Sequence, residues 1–254
     1  MAHYDKQFYD EIRETSRHAA RTIAPMVLDL VGPISSVVDI GCGNAIWLSV
    51  WRELGATRTL GIDGEHVDRS MLEIPADDFI AMDLSRPLPA LERHDLAMTL
   101  EVVEHLQPER AESIVEELIA LAPVVLFSAA TPGQLGDGHI NLEWQDVWAE
   151  RFERRGYRTI DAIRSRVWRD LSISWWYQQN VLIFASAEAL AANPKLRERA
   201  DATDRERISV IHPRQYMLLF ELTRKAYRER AALSNEVATL RQRIAAFTDN
   251  DESD

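Results

Sequence analysis

The chain has 254 residues, of which 46% are hydrophobic and 28% are charged, and its formal net charge is −12. This composition fits a globular protein of one large domain with an appendage, and no apolar run reaches the ~20 residues that cross a bilayer. A single cysteine excludes a disulfide framework, and the acidic balance disfavours nucleic acid and anionic membranes as partners, because both bind basic surfaces. The N-terminus lacks the apolar core of a signal peptide, so we expect a cytoplasmic protein.

The predicted elements begin with a helical segment over residues 5–31. Seven strand candidates follow it, at residues 35–43, 58–63, 77–84, 94–101, 123–130, 157–162 and 176–186. Helices are predicted between them at residues 44–55, 65–73, 108–121 and 144–156. Alternating strands and helices predict an α/β fold, doubly wound around a mostly parallel sheet that is covered on both faces. The last two strands have no long helix between them, so we expect an antiparallel hairpin at the sheet edge.

The chain changes character after residue 187, where a charged run, K-L-R-E-R-A-D-A-T-D-R-E-R, precedes a long helical pattern. Apolar residues there recur every seven positions, with two more at the alternate spacing: Ala226, Leu233, Leu240 and Phe247, with Val237 and Ile244. This pattern predicts a coiled-coil seam of about three heptads. The helix either docks on its own domain or pairs with a second copy, and we predict a homodimer. The predicted regions are an N-terminal helical cap (1–33), a central domain (34–187) and a charged linker with a C-terminal helix (188–254).

Glycines and carboxylates follow the first three strands. Gly41 and Gly43 stand between a strand and a helix, where glycine permits a sharp turn and a close approach to a ligand. Asp63 ends the second strand, where a carboxylate can bind the ribose hydroxyls of an adenosine-containing ligand, and Asp83 ends the third. Ile46 occupies the place of the third small residue in the dinucleotide fingerprint G-x-G-x-x-G/A, which counts against a dinucleotide cofactor.

Four motifs, D-I-G-C-G (39–43), G-I-D-G (61–64), D-L (83–84) and D-L-A-M-T-L-E-V-V-E-H-L (95–106), resemble those of class I S-adenosylmethionine-dependent methyltransferases. The resemblance implies a Rossmann-like, seven-stranded sheet with its last strand antiparallel, and an S-adenosylmethionine-binding domain over residues 34–187. It also implies a set of cofactor-binding residues: Asp39, Gly41 and Gly43 around the methionine part, Asp63 on the ribose, Asp83 and Leu84 near the adenine, and Glu101 at the pocket edge. One departure is Ala45, which stands where the family often has a third glycine.

Two carboxylates and an imidazole, Glu101, Glu104 and His105, follow the fourth strand within five residues. Close carboxylates repel each other unless a cation or a shared proton lies between them, and imidazole with carboxylate suits several divalent ions. The loop G-D-G-H after the fifth strand can bring His139 to the same place. We therefore predict that these four residues bind a divalent metal, magnesium or manganese. The alternative is that Glu104 and His105 only line the pocket or cap a helix.

The E-x-x-E-H string with a distant histidine resembles the metal-binding set of small-RNA terminal 2′-O-methyltransferases, and E-V-V-E-H also resembles ubiquinone-pathway O-methyltransferases. An alcohol is a poor nucleophile while it is protonated, so either the metal or His139 as general base has to activate it. We predict catalytic roles for His139, Glu101 and His105.

The acceptor that we predict is a hydroxyl of a sugar or oligosaccharide. Tryptophans in the second half stack well on sugar rings, although core packing explains any one of them equally: Trp144, Trp148, Trp168, Trp175 and Trp176. Asn141, Glu143 and Gln145 are candidates to hydrogen-bond sugar hydroxyls. The alternatives are a metal-independent methyltransferase of another small molecule, such as a phenol or quinone precursor, and a dinucleotide-binding oxidoreductase.

Overall fold

In the computed structural model, which describes residues 6–251 and the side chains of residues 13–244, seven strands form one mixed sheet. The strands are β1 (Ser36–Ile40), β2 (Arg58–Asp63), β3 (Phe79–Ala81), β4 (Leu96–Leu100), β5 (Val124–Ser128), β6 (Tyr157–Ile160) and β7 (Leu182–Ser186). Their order across the sheet is β3-β2-β1-β4-β5-β7-β6. The pairs among β1 to β5 are parallel, whereas β7 is antiparallel to both β5 and β6. The predicted antiparallel pair at the edge is therefore confirmed, in a sheet that is mixed.

Helices cover both faces of this sheet. The helices are α1 (Lys6–Val31), α2 (Ile46–Glu53), α3 (Arg110–Leu121), α4 (Gln145–Glu153), α5 (Arg164–Val167), α6 (Trp175–Asn180), α7 (Ala187–Ala192), α8 (Pro194–Asp201) and α9 (Pro213–Asp251). Buried side chains of α1 and α2 belong to one hydrophobic core, and those of α3 and α4 belong to a second core on the other side. The residues of β1 and β5 are all buried, as expected for central strands covered on both faces.

Three predicted elements differ from those in the structure. Residues 65–73 form only the 3-10 turn Arg69–Met71, because the Asp68 side chain accepts a hydrogen bond from the Ser70 amide and caps a short turn. The third strand is shorter than predicted, since a 3-10 turn at Ala76–Asp78 precedes it. The first half of the predicted strand 176–186 is the helix α6, although its aromatic residues favour strands. Tertiary packing outweighs that propensity here.

The segment after Ser186 is helical from its first residue. Leu190 in α7 and Leu196 in α8 are buried in the first core. Two compact units result: the first ends at His212 and the second begins at Pro213, so their boundary does not coincide with the predicted one at residue 187. In the second unit, α9 carries an exposed apolar face. Across the described residues, no helix has the length and apolarity that a membrane span requires.

Candidate active site

A cavity of about 510 Å³ opens at the carboxyl ends of the parallel strands, where open α/β sheets bind ligands. Seven of the predicted site residues line it: Gly41, Gly43, Asp63, Asp83, Leu84, Glu101 and His105. Asp39, Glu104 and His139 are not among its lining residues. A second cavity of about 590 Å³ lies beside α5. Trp168, one of the tryptophans considered for sugar stacking, lines it, whereas none of the predicted cofactor, metal or catalytic residues do.

The glycine loop after β1 is held open by backbone geometry and by Asp63. Gly41 has a φ of +82°, and a Cβ atom there would lie 2.3 Å from a methyl carbon of Val102. The Gly43 amide donates to Asp63 Oδ2 at 2.7 Å, and the Gly64 amide donates to Oδ1 at 2.6 Å. The two amides therefore fix the Asp63 carboxylate at the cavity wall before any ligand binds.

The acid after β3 lies in a different environment. Asp83 is exposed, and hydrogen bonds from Ser85, with Arg86 nearby, lower the pKa of its carboxyl group. Leu84 is buried, and its carbonyl oxygen accepts a hydrogen bond from Arg110 Nε at 3.2 Å. Arg110 is the first residue of α3 and also forms an ion pair with Glu117 in the same helix, so it holds the segment after β3 against α3.

Asp39 lies behind the loop, buried within β1. Burial, with the neighbouring Asp63 carboxylate as a second cause, raises the pKa of Asp39 to about 8. The folded chain therefore keeps this carboxyl group protonated at pH values where it is ionised in the unfolded chain.

Replacing Asp39 with asparagine should change how stability depends on pH. An acid whose pKa is raised on folding makes the free energy of unfolding fall with rising pH, by up to about 1.4 kcal/mol per unit, between its ordinary pKa and the raised one. Because asparagine does not titrate, the variant does not show this loss. The free energy of unfolding of the variant minus that of the native protein should therefore be roughly 2–3 kcal/mol larger at about pH 7 than at about pH 5. Urea unfolding of both proteins at both pH values measures this difference. A difference that is the same at pH 5 and pH 7 would contradict the raised pKa of Asp39.

Glu101 follows β4 in a strained backbone conformation, with a φ of +57°. Its amide donates to the Ser128 carbonyl oxygen at 3.0 Å. Gln134 Nε2 donates to Glu101 Oε2 at 2.6 Å, and Asn180 Nδ2 donates to Oε1 at 3.1 Å. Burial raises the pKa of Glu101, while these amide donors act in the opposite direction. The carboxyl group is therefore oriented from behind by two amides at the cavity edge.

The two amides belong to a buried network that sequence analysis missed. Asn180 Nδ2 also donates to Gln134 Oε1 at 2.9 Å, and Gln179 Nε2 donates to Asn180 Oδ1 at 3.0 Å. Gln179 Oε1 accepts from the amide of His212 at 2.6 Å. The only sequence signal was the polar run Q-Q-N directly before an apolar strand.

The catalytic role predicted for Glu101 implies that replacing Asn180 with leucine should lower turnover by about 10²-fold, because the misplaced carboxylate would lose its alignment with an acceptor. Gln178→Leu is the matched control: Gln178 is equally buried and donates to the Asp170 carbonyl oxygen, away from Glu101. Both variants should lose stability, since each breaks a buried hydrogen bond. Steady-state kinetics and thermal unfolding separate the effects, and an equal loss of turnover in the control would refute the positioning role.

Glu104, His105 and His139 form a cluster whose potential ligand atoms all lie within 4.8 Å of one another. The two imidazole rings meet edge to face, with centroids 4.9 Å apart. Glu104 is fully buried, and neither of its carboxyl oxygens has a hydrogen-bond partner of good geometry within the described residues, although backbone groups of Glu104 and Ala130 lie near enough to oppose the rise in its pKa. Burial and the nearby Glu101 raise the pKa of Glu104 to about 9, whereas burial and then His139 lower the pKa of His105.

The loop after β5 positions His139. The amides of Ile140 and Asn141 both donate to the Glu104 carbonyl oxygen, at 2.8 and 3.0 Å. His139 Nδ1 lies 3.0 Å from the Gln134 carbonyl oxygen, to which it can donate only as the protonated nitrogen, and this leaves Nε2 as ligand or base. Gly136 lies against the ring, and a Cβ atom there would lie 2.2 Å from His139 Nε2, so any larger residue would displace the imidazole.

The cluster differs from the predicted four-residue metal set in one member. Glu101 is outside the group and is hydrogen-bonded to two amides instead. The remaining donors, one carboxylate and two imidazoles, suit several divalent ions. A buried carboxyl group without a hydrogen bond is costly unless a cation or a proton compensates it. The raised pKa means that a proton does so in the cation-free chain, and the donor set fits a divalent metal that would take its place.

The polar residues expected to contact a sugar are bound within the protein. Asn141 Nδ2 donates to the Val103 carbonyl oxygen, and Glu143 forms an ion pair with Arg151. Gln145 Nε2 donates to the Val210 carbonyl oxygen at 2.9 Å. Trp148 is buried in the core, whereas Trp144 is exposed. Each of these three side chains therefore already has a partner within the protein, although Gln145 Oε1 is buried without one among the described residues, and acceptor binding by them stays a prediction.

The chain was compared with protein-family models, with curated proteins and with solved structures. A family model described as "Methyltransferase domain" matches residues 1–180. No curated protein matches the chain significantly. Among solved structures, magnesium protoporphyrin IX methyltransferase from Synechocystis PCC 6803 with bound S-adenosylhomocysteine is 18% identical, with a TM-score of 0.50, and the match covers 70% of this chain and 86% of that one.

Two further solved structures have the same fold at lower identity. DesVI from Streptomyces venezuelae is 14% identical with a TM-score of 0.53, and the match covers 71% of this chain and 96% of that one. CalS10, an amino pentose methyltransferase from Micromonospora echinaspora with bound S-adenosylmethionine, is 12% identical with a TM-score of 0.52, and the coverage is 70% and 94%. These identities show the fold alone.

Proposed function

The chain belongs to the methyltransferase-domain family and is an S-adenosylmethionine-dependent methyltransferase, and from that premise we propose that it transfers the methyl group to a hydroxyl of a sugar or glycan-like acceptor with the help of a divalent cation. The observation that carries the proposal is the Glu104 carboxyl group, fully buried and without a hydrogen bond beside two imidazoles. The oxidoreductase alternative is not retained, because the matched family consists of methyltransferase domains.

The cofactor subsite that we propose is the cavity at the ends of β1 to β4. Its glycine loop allows close approach, and the Asp63 carboxylate, held by two amides, suits a pair of ribose hydroxyls. Asp83 and Leu84 lie on the wall where the adenine is expected, and Asp39 supports the loop from behind.

The cation, magnesium or manganese, would be held by Glu104, His105 and His139. When bound, it supplies Lewis-acid activation of the acceptor hydroxyl. Glu104 would compensate the cation's charge, and the hydrogen bond from His139 Nδ1 to the Gln134 carbonyl oxygen would leave Nε2 as the ligand atom. Glu101, at the cavity edge, orients the acceptor. Without a cation, His139 Nε2 is the remaining candidate for general base.

The choice of a sugar hydroxyl rests on chemistry. Neighbouring hydroxyls can occupy two positions on one cation, which fixes the reacting oxygen in place. A phenol is more acidic than an alcohol and has less need of a cation. The net charge of −12 counts against an RNA ribose, since nucleic-acid binding gains affinity from neutralised phosphates.

A panel of acceptors tests the proposal. The enzyme would be incubated with methyl-labelled S-adenosylmethionine and manganese, together with a methyl glycoside, a catechol, a simple phenol or a short RNA. We expect a methyl ether on the glycoside and little product from the phenol and the RNA. Methylation of phenol alone, independent of manganese, would favour the metal-independent small-molecule alternative and overturn the sugar assignment.

A further inference from the structure

We propose that α9 pairs with α9 of a second copy of this chain as a parallel, in-register, two-stranded coiled coil. The helix is 39 residues long, about 58 Å at 1.5 Å per residue. It belongs to the compact unit that begins at Pro213. Leu233, Val237 and Leu240 are 61%, 47% and 48% exposed, so a continuous apolar strip lies open on this helix.

The heptad positions of α9 specify the number and direction of the strands. Taking Val237 as position a places a run of residues at a, namely Tyr216, Thr223, Arg230, Val237 and Ile244. Position d then holds Leu219, Ala226, Leu233, Leu240 and Phe247, the last of which lies outside the described side chains. β-branched residues at a with leucine at d favour two parallel strands. The C-terminal half of the seam has this composition.

The flanking positions show charge complementarity for the parallel arrangement. In a parallel pair, each g residue faces the e residue five positions later on the other helix. Glu236 at g then faces Arg241 of the second copy, which is an attractive pair, and Leu222 faces Tyr227, which extends the apolar strip. In an antiparallel pair, g faces g, so the acidic residues Glu229 and Glu236 would oppose each other.

Arg230 fits the same arrangement. It is an exposed, charged residue at an a position, between Thr223 and Val237. A polar residue at a single a position specifies register and a two-stranded state, at a cost in stability. In a parallel, in-register pair the two Arg230 side chains share one a layer, and Glu229 of the second copy, at the preceding g position, would offset their like charges.

Cysteine cross-linking of the full chain tests direction and register together. Leu240→Cys places a thiol at d, where two copies meet only in a parallel, in-register pair, and Gln242→Cys places one on the opposite face as the control. The native thiol, Cys42, is buried and gives little background. We expect mild oxidation to link Leu240→Cys into dimers and to leave Gln242→Cys as single chains. Failure of Leu240→Cys to cross-link, or equal cross-linking of both variants, would overturn the proposal.

Charge reversal provides a second measurement, by light scattering across a dilution series. Glu236→Arg and Arg241→Glu should each weaken the dimer by about 2- to 10-fold, and the double variant should restore it, because surface pairs contribute modestly and twice per dimer. A tighter dimer in Glu236→Arg would indicate antiparallel helices. A single-chain mass for the native protein at all concentrations, or a mass of three or more chains, would also contradict the proposal.

Discussion

Replacing Glu104 with glutamine should lower methyl transfer by about 10³-fold, because cation assistance contributes several kcal/mol and each 1.4 kcal/mol is a factor of ten. Glutamine keeps the volume of the side chain but removes the charge that would compensate the proposed cation, for which His105 and His139 are the other candidate ligands. The affinity for S-adenosylhomocysteine should stay nearly constant, since Glu104 does not line the cofactor cavity. Steady-state turnover and calorimetric binding measure the two quantities separately.

Thermal unfolding distinguishes this role from a structural one. A fully buried carboxyl group without hydrogen bonds does not stabilise the cation-free chain. We therefore expect Glu104→Gln to unfold at no lower temperature than the native protein without divalent cation, and to lose the rise in melting temperature that manganese gives the native protein. Glu109→Gln, an exposed neighbour, is the control and should leave both unchanged. A variant that is destabilised without cation, yet still stabilised by manganese, would refute the ligand role.

Replacing Gly41 with alanine should weaken S-adenosylhomocysteine binding by about 10²-fold, because overpacking of roughly 1–3 kcal/mol is relieved by moving the loop that forms the cavity wall. The new Cβ atom would lie 2.3 Å from Val102, and the φ of +82° adds backbone strain. Calorimetry measures the affinity, and urea unfolding measures the loss of stability.

Gly55→Ala separates the collision from the backbone strain. Gly55 also has a positive φ, +104°, but a Cβ atom there has nothing within 4 Å, and the residue is not among those lining the cavity. Both variants should lose the stability that a left-handed alanine costs, about 1 kcal/mol. Only Gly41→Ala should lose affinity. Equal affinity in the two variants would show that the approach of Gly41 to Val102 has no part in cofactor binding.

The parts of the fold that sequence predicted best are those with strong local signals. The parallel pairing of β1 to β5 was predicted from alternating apolar runs and amphipathic helices, and the antiparallel β6–β7 pair was predicted because the sequence shows no long helix between these strands. Residues 176–180 were assigned incorrectly because their aromatic side chains favour a strand, whereas Gln178, Gln179 and Asn180 are buried polar residues that bond across elements. Such long-range hydrogen bonds leave no periodicity in the sequence.

The candidate site also contains residues that the sequence predicted and a geometry that it did not. Gly41, Gly43 and Asp63 follow from strand ends and short motifs, and the structure places all three on one cavity. Glu101 and Glu104 follow the fourth strand within five residues and were predicted to bind one metal, but Glu101 has a positive φ and its carboxylate accepts hydrogen bonds from two amides instead. A backbone conformation of this kind is imposed by the surrounding fold and has no local sequence signal.

The most direct test of the account is turnover of a hydroxyl acceptor after exhaustive removal of divalent cations. The native protein would be treated with chelator, and turnover and S-adenosylhomocysteine affinity would be measured before treatment, after it, and after magnesium or manganese is restored. We predict that turnover is lost on chelation and returns with the cation, while the cofactor affinity stays nearly constant. Turnover that survives complete chelation would contradict the role assigned to Glu104, His105 and His139.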